Sequence, residues 1–199
     1  MSTSTRTRSL SPVFIIAIVA SAVVLAVNAV KRAGIALGPV TQFAAPLAQL
    51  LAIGLVVGVF AATPAVRDRL GSIGAALCAA SLVPLVGAEA VINLVLPSIP
   101  PGTISQPRSG LLGIAFTVSS ISFLLGTLAF FTALWRVAGS PRFAILLAVA
   151  SSVTIAFRTA FPEVVLQSGF GGLAGAVAML TFWLIRSHRT QTAELLNAG

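Results

Sequence analysis

The sequence predicts an all-α polytopic membrane protein, a bundle of six transmembrane helices with N- and C-termini cytoplasmic. Three observations predict it. First, 57% of the 199 residues are hydrophobic and only 8% are charged, with a mean hydropathy of +1.06, whereas soluble domains use roughly 45–50% apolar and roughly 25% charged residues. Second, the apolar residues fall into six runs long enough to cross a hydrocarbon core. Third, the basic residues divide unequally between the two sets of connecting segments, as the positive-inside rule requires.

In chain order, residues 1–11 form a polar cytoplasmic tail carrying Arg6 and Arg8. Ser11 is a helix-cap residue and Pro12 takes the favoured first-turn position, so the first span is predicted over 12–30. Arg6, Arg8 and Val27-Asn28-Ala29 imitate a secretory signal, but the apolar run exceeds the roughly 7–15 residues of a signal core, and a retained helix is expected. After Lys31 and Arg32, the second span is predicted over 41–62, with Gly54 and Gly58 as a GxxxG pair for close helix packing. Thr63-Pro64 then opens a polar turn with Arg67, Asp68 and Arg69, stopped by Gly71.

The third span, 72–96, contains the most unusual stretch of the chain, PLVGAEAVINLVLP from Pro84 to Pro97, with Glu89 and Asn93 in an apolar run. Pro84 cannot donate to the carbonyl of Ala80, which predicts a kink about one turn before Glu89. Residues 97–109 include four prolines and favour an extended path. In the fourth span, 110–135, the residues Ser119, Ser122, Gly126, Ala129 and Ala133 recur at helical spacing and predict a packing seam. Ser140-Pro141 repeats the cap-plus-proline start for the fifth span, 142–161, which carries Arg158 near its end. The sixth span, 163–185, holds a second GxxxG at Gly171 and Gly175, and residues 187–199 form a cytoplasmic polar tail. The transmembrane domain is thus 12–186.

With a cytoplasmic N-terminus, the inner side receives Arg6, Arg8, Arg67, Arg69, Arg136, Arg142, Arg186 and Arg189, against Lys31, Arg32, Arg108 and Arg158 outside. This orientation assigns depths. Glu89 comes to lie about 7 residues, or roughly 10 Å, below the outer end of its span. Asn93, Arg158, Asn28, Gln49 and Gln167 all fall in the same outer leaflet. An ionisable side chain in hydrocarbon is costly and by default marks a functional site with a partner. The candidate site is therefore a polar recess open to the outside, built on Glu89 and Arg158 with Asn93, Asn28, Gln49 and Gln167 around them. Three roles remain open for the two charges: an ion pair pinning the third span to the fifth, a ligand or ion site, or headgroup contact by a snorkelling Arg158.

Missing chemistry narrows the function. The only lysine is Lys31 at a span end, the only histidine is His188, the only aspartate is Asp68 and the only cysteine is Cys78. A mid-membrane Schiff base, a bis-histidine haem site, a histidine zinc site, an aspartyl protease pair and a disulfide framework all lack their residues. No nucleophile elbow, H-E-x-x-H or P-loop pattern occurs. The expectation is a protein that is not an enzyme, without cofactor or metal. The formal charge of +8 reads as orientation signal and contact with anionic lipid at the cytoplasmic face, and nucleic acid is not an expected partner.

The segment from Leu70 to Arg186 resembles uncharacterised multi-spanning membrane proteins of high-GC bacteria, a family of unknown function. The resemblance rests on the single acid before an apolar run and a proline (Glu89 to Pro97), the Pro-rich loop after it, and LLGTLAFFTALWRVAGSPRFAILLAVAS at Leu124 to Ser151. It implies a six-helix bundle of the bacterial inner membrane and supplies no activity. Two function classes follow for this multi-pass plasma-membrane protein. In one, a small solute or lipid is bound or transported through the outer recess. In the other, the chain is an accessory or assembly subunit, or a homo-oligomer, packing through its small-residue faces.

Overall fold

A computed structural model describes residues 42–95, 111–157 and 160–197, together with residues 23, 24, 26, 27 and 30. Among the described residues five helices are continuous and there is no strand: α1 (Ala44–Ala62), α2 (Arg69–Ala90), α3 (Leu111–Trp135), α4 (Arg142–Ala156) and α5 (Glu163–Asn197). The predicted first span lies mostly outside the described residues. Three helices contain stretches long and apolar enough to cross a membrane, Arg69–Ala88, Gly113–Trp135 and Val164–Ser187, while the apolar stretch Gln49–Ala62 and helix α4 are shorter. The chain is an all-α membrane protein.

Its packing is the reverse of a soluble bundle. Large apolar side chains such as Ile73, Val83, Ile114, Phe143, Val164 and Phe182 are exposed, whereas Ser81, Ser119, Ser120, Thr127, Ser151 and Ser152 are buried. In water such a surface would aggregate. In lipid, tails solvate the outer apolar face, and small residues between helices let backbones approach. Two of the buried hydroxyls bond on their own helix, Ser81 Oγ donating to Cys78 O at 2.9 Å and Ser152 Oγ to Ala148 O at 2.8 Å.

Each helix packs against its neighbours in sequence, α1 on α2, α2 on α3, α3 on α4 and α4 on α5. The register is antiparallel. Between α2 and α3, Gly74 lies against Phe130, and Gly126 against Cys78. Between α4 and α5, Gly169 faces Thr154, Gly172 faces Ser151, and Gly175 faces Leu147. Consequently α1, α3 and α5 run toward one end of the bundle, where Arg67, Arg69, Arg136, Arg142 and Arg186 gather, and α2 and α4 run away from it. The main apolar core includes Val59, Val66, Phe130, Leu134, Ile145 and Leu180 from the arginine half. The far half holds a smaller cluster of three buried residues, Leu82, Leu85 and Phe123.

Several boundaries differ from the sequence reading. The third span begins at Arg69 rather than 72, because Asp68 is its N-cap and accepts a hydrogen bond from Gly71 N at 2.7 Å. Gly71 therefore does not stop the preceding turn; it sits inside α2, where a Cβ would collide with Val66 O. Ser140 does not cap α4. The N-cap is Pro141, and Ser140 Oγ donates to Trp135 O at 3.5 Å across the turn, which Gly139 enters at φ +72°.

The fifth span ends at Ala156, short of 161. Phe157 N closes it on Val153 O, and Pro162 disfavours helical geometry in the residue before it. The sixth runs through the predicted tail to Asn197.

Helix α2 continues through Pro84, and beyond Glu89 it gives way to a π-helical turn over Val91–Val95, which the sequence reading does not include.

Candidate functional site

Two ends of one bundle have different chemistry. At the arginine end, Arg67 folds back onto the last turn of α1, its Nε donating to Phe60 O at 3.4 Å and its Nη2 to Ala61 O. A cation on these unsatisfied carbonyls also complements the negative end of the helix dipole. Asp68 caps α2 and lies 3.8 Å from Arg136 Nη1, an exposed pair with side-chain accessibilities of 45% and 65%. Arg142 Cζ lies over the Trp135 ring, 5.3 Å from its centroid, within the range of a cation–π contact. Local sequence builds all three features, since each uses residues at or beside a helix terminus.

The opposite end carries most of the polar residues singled out in the sequence. Glu89 occupies the last full turn of α2, and Asn93 the π turn that follows, each described here by its backbone. Gln49 lies near the start of α1 and Gln167 near the start of α5, both half-buried. The topology thus gathers Glu89, Asn93, Gln49 and Gln167 at one end, about 30 Å from Arg69 along α2 at 1.5 Å per residue. Arg158 and Asn28 lie outside the described residues. Phe116 packs at the edge of the small apolar cluster that approaches this end along α3.

The π turn is the feature that sequence reasoning missed. A π turn widens the helix by one residue and leaves carbonyls imperfectly paired, a geometry often found at functional sites. Val91 N, at the junction, approaches both Gly87 O and Ala88 O. Its sequence signal is slight: the β-branched Val91 and Ile92 precede Asn93, whose side chain competes for backbone hydrogen bonds.

The packing glycines separate into two groups. Gly126 sits at a close α2–α3 approach, where an added Cβ would lie 2.6 Å from Cys78 N and 3.0 Å from its Sγ. Gly58 is buried, and a Cβ on Gly175 would make ordinary contact with Leu147 at 3.7 Å. Gly54 and Gly171 make no close helix contact within this chain: both are exposed, with nothing within 4 Å of an added Cβ, as one glycine of each pair sits at the edge of the buried face. The close approaches between helices use Gly74, Gly126, Gly169 and Gly172, each opposite a backbone or hydroxyl on the neighbouring helix, while Gly71 lies against the carbonyl of Val66 in the turn before α2.

Among the described residues there is no group of three or more His, Cys, Asp or Glu side chains disposed to hold a metal. Cys78 is buried, 3.6 Å from Thr127 Oγ1 and within reach of Phe123 O, so its role is in the α2–α3 contact. Comparison with known proteins finds no match: no family model fits the chain, and no curated protein or solved structure is significantly similar to it.

Proposed function

We propose that this chain is a six-span plasma-membrane protein with cytoplasmic termini that binds or passes a small solute or lipid through an outer-leaflet polar recess around Glu89 and Arg158. It has no catalytic role in this reading. The observation that carries it is the π turn at Val91–Val95, directly after Glu89 and containing Asn93. Irregular backbone at membrane depth is tolerated where it is buried in protein or lines a polar cavity. One further observation supports it: Gln49 and Gln167 lie at the same end. Glu89 is the acceptor for the ligand, Arg158 its counter-charge, and Asn93, Asn28, Gln49 and Gln167 supply amides.

The test is purification in mild detergent followed by density analysis and ligand identification. A monomer carrying solute or lipid density beside Glu89, lost in Glu89→Gln, is expected. Transport activity in proteoliposomes that Glu89→Gln leaves unchanged removes Glu89 from any mechanism.

A second reading is favoured by a separate observation. Gly54 and Gly171 are exposed with open space at the Cβ position, and such positions on a lipid-facing surface admit the backbone of another helix. In that reading the chain is an accessory or assembly subunit, or a homo-oligomer, and Glu89 and Arg158 form a structural ion pair. A stoichiometric protein partner in the purified material, together with non-additive stability losses in Glu89→Gln, Arg158→Gln and the double variant, identifies it.

A further inference from the structure

We propose that the arginine end of the bundle is a binding surface for anionic phospholipid, with Arg69 and Arg142 as phosphate ligands and Trp135 as the interfacial anchor. This surface is at the opposite end from Glu89 and is independent of the recess.

The charge there is strongly one-sided. Among the described residues this end carries Arg67, Arg69, Arg136, Arg142, Arg186 and Arg189 against two carboxylates, Asp68 and, further along α5, Glu194, six positive charges less two negative, or +4. Not all of it is available. Arg67 is engaged with the carbonyls of Phe60 and Ala61, and Arg136 lies beside Asp68, whose other bond is to Gly71 N. Arg69 and Arg142 are exposed, and neither has a carboxylate within ion-pair distance among the described residues. The Trp135 ring holds the Arg142 guanidinium from one side, which leaves N–H groups free for the forked hydrogen bonding that suits a phosphate.

Apolar surface beside these charges selects a phospholipid over a free anion. Phe143, next to Arg142, is 69% exposed, and Leu146, one turn along the same helix, is 58% exposed. A headgroup phosphate on Arg142 places its acyl chains along these side chains, while Trp135 takes the interfacial position that tryptophan favours. An acidic protein segment would meet the arginines but leave Phe143 and Leu146 uncovered.

The experiment uses the full chain in nanodiscs of mixed phosphatidylglycerol and phosphatidylcholine, released into a mass spectrometer under native conditions. Retained lipid is expected to be enriched in phosphatidylglycerol relative to the disc. The enrichment should fall on the order of fivefold in Arg69→Gln and again in Arg142→Gln, the effect of about one basic residue at an anionic surface. It should fall in part in Arg142→Lys, which keeps the charge but loses the fork and the stacking on Trp135, and persist in Arg67→Gln. Each single variant is informative by itself, and both positions are first residues of helices, where a cation opposes the helix dipole and its removal does not weaken the fold. Equal retention of the two lipids, enrichment unchanged in both Gln variants, or displacement of phosphatidylglycerol by millimolar inorganic phosphate would overturn the proposal.

Discussion

Gly126 on α3 meets the backbone of Cys78 on α2 so closely that an added Cβ would lie 2.6 Å from the Cys78 nitrogen. The contact is reciprocal one turn away, where a Cβ on Gly74 would collide with Phe130 N. Two helices cross here backbone to backbone. Lipid offers no hydrophobic drive for helix association, so close packing of this kind carries the interaction.

Gly126→Ala is therefore expected to destabilise the bundle. The obstructing atom is backbone, which yields only if α2 shifts, and overpacking of this sort costs about 1–3 kcal/mol. Unfolding in a denaturing detergent series measures it. Maleimide labelling of buried Cys78 supplies a local readout and should accelerate in the variant. Gly54→Ala and Gly171→Ala, open at the Cβ position, serve as controls. They should be neutral or slightly stabilising, since alanine is the better helix former by about 1 kcal/mol. A destabilised Gly54→Ala would show that its face is covered by another helix.

Asp68 has two partners of unequal value. As the N-cap of α2 it accepts from Gly71 N at 2.7 Å, an interaction whose loss typically costs about 1 kcal/mol. Its exposed pairing with Arg136 at 3.8 Å belongs to a class worth about 0–1 kcal/mol. Asp68→Ala should therefore lower stability by about 1 kcal/mol, Asp68→Asn should retain most of it, and Arg136→Gln should change little. Equilibrium unfolding of the three variants at two salt concentrations checks this ranking. If Asn proves as harmful as Ala, the ion pair and not the cap is what Asp68 supplies.

How much of this was legible in the sequence depends on the range of the interaction. Composition and run length disclose an all-α membrane protein because lipid demands apolar residues and internally satisfied backbone along every exposed span. Helix ends were within about three residues at both ends of α1 and α3 and at the start of α2, whereas α2 gives way to the π turn after Ala90, well before its predicted end at 96. GxxxG spacing at Gly54 and Gly171 records that two small residues share a face, not which helix covers it, and within this chain none does. Gly74 opposite Phe130, and Gly169 opposite Thr154, pair across helices and leave no spacing signal within either one. The π turn after Glu89 escaped because no proline or glycine marks it, only the β-branched Val91 and Ile92 before Asn93.

The α4–α5 contact permits a sharper test. A Cβ on Gly169 would collide with Thr154 Oγ1, which donates to Ser151 O at 2.8 Å. The side chain cannot rotate away without losing that bond, so Gly169→Ala should cost about 1–3 kcal/mol. Thr154→Ala removes the obstructing hydroxyl at the cost of one local hydrogen bond, about 1 kcal/mol. In the double variant, the methyl group introduced by Gly169→Ala occupies the space that the hydroxyl vacates. The combined loss should then be smaller than the sum of the single losses by about 1 kcal/mol or more, the coupling expected of residues in contact. Thr154→Ser keeps Oγ and should give no rescue. Simple additivity across the cycle would mean that Gly169 and Thr154 do not share this contact in the membrane, and that the register between α4 and α5 differs from the one described.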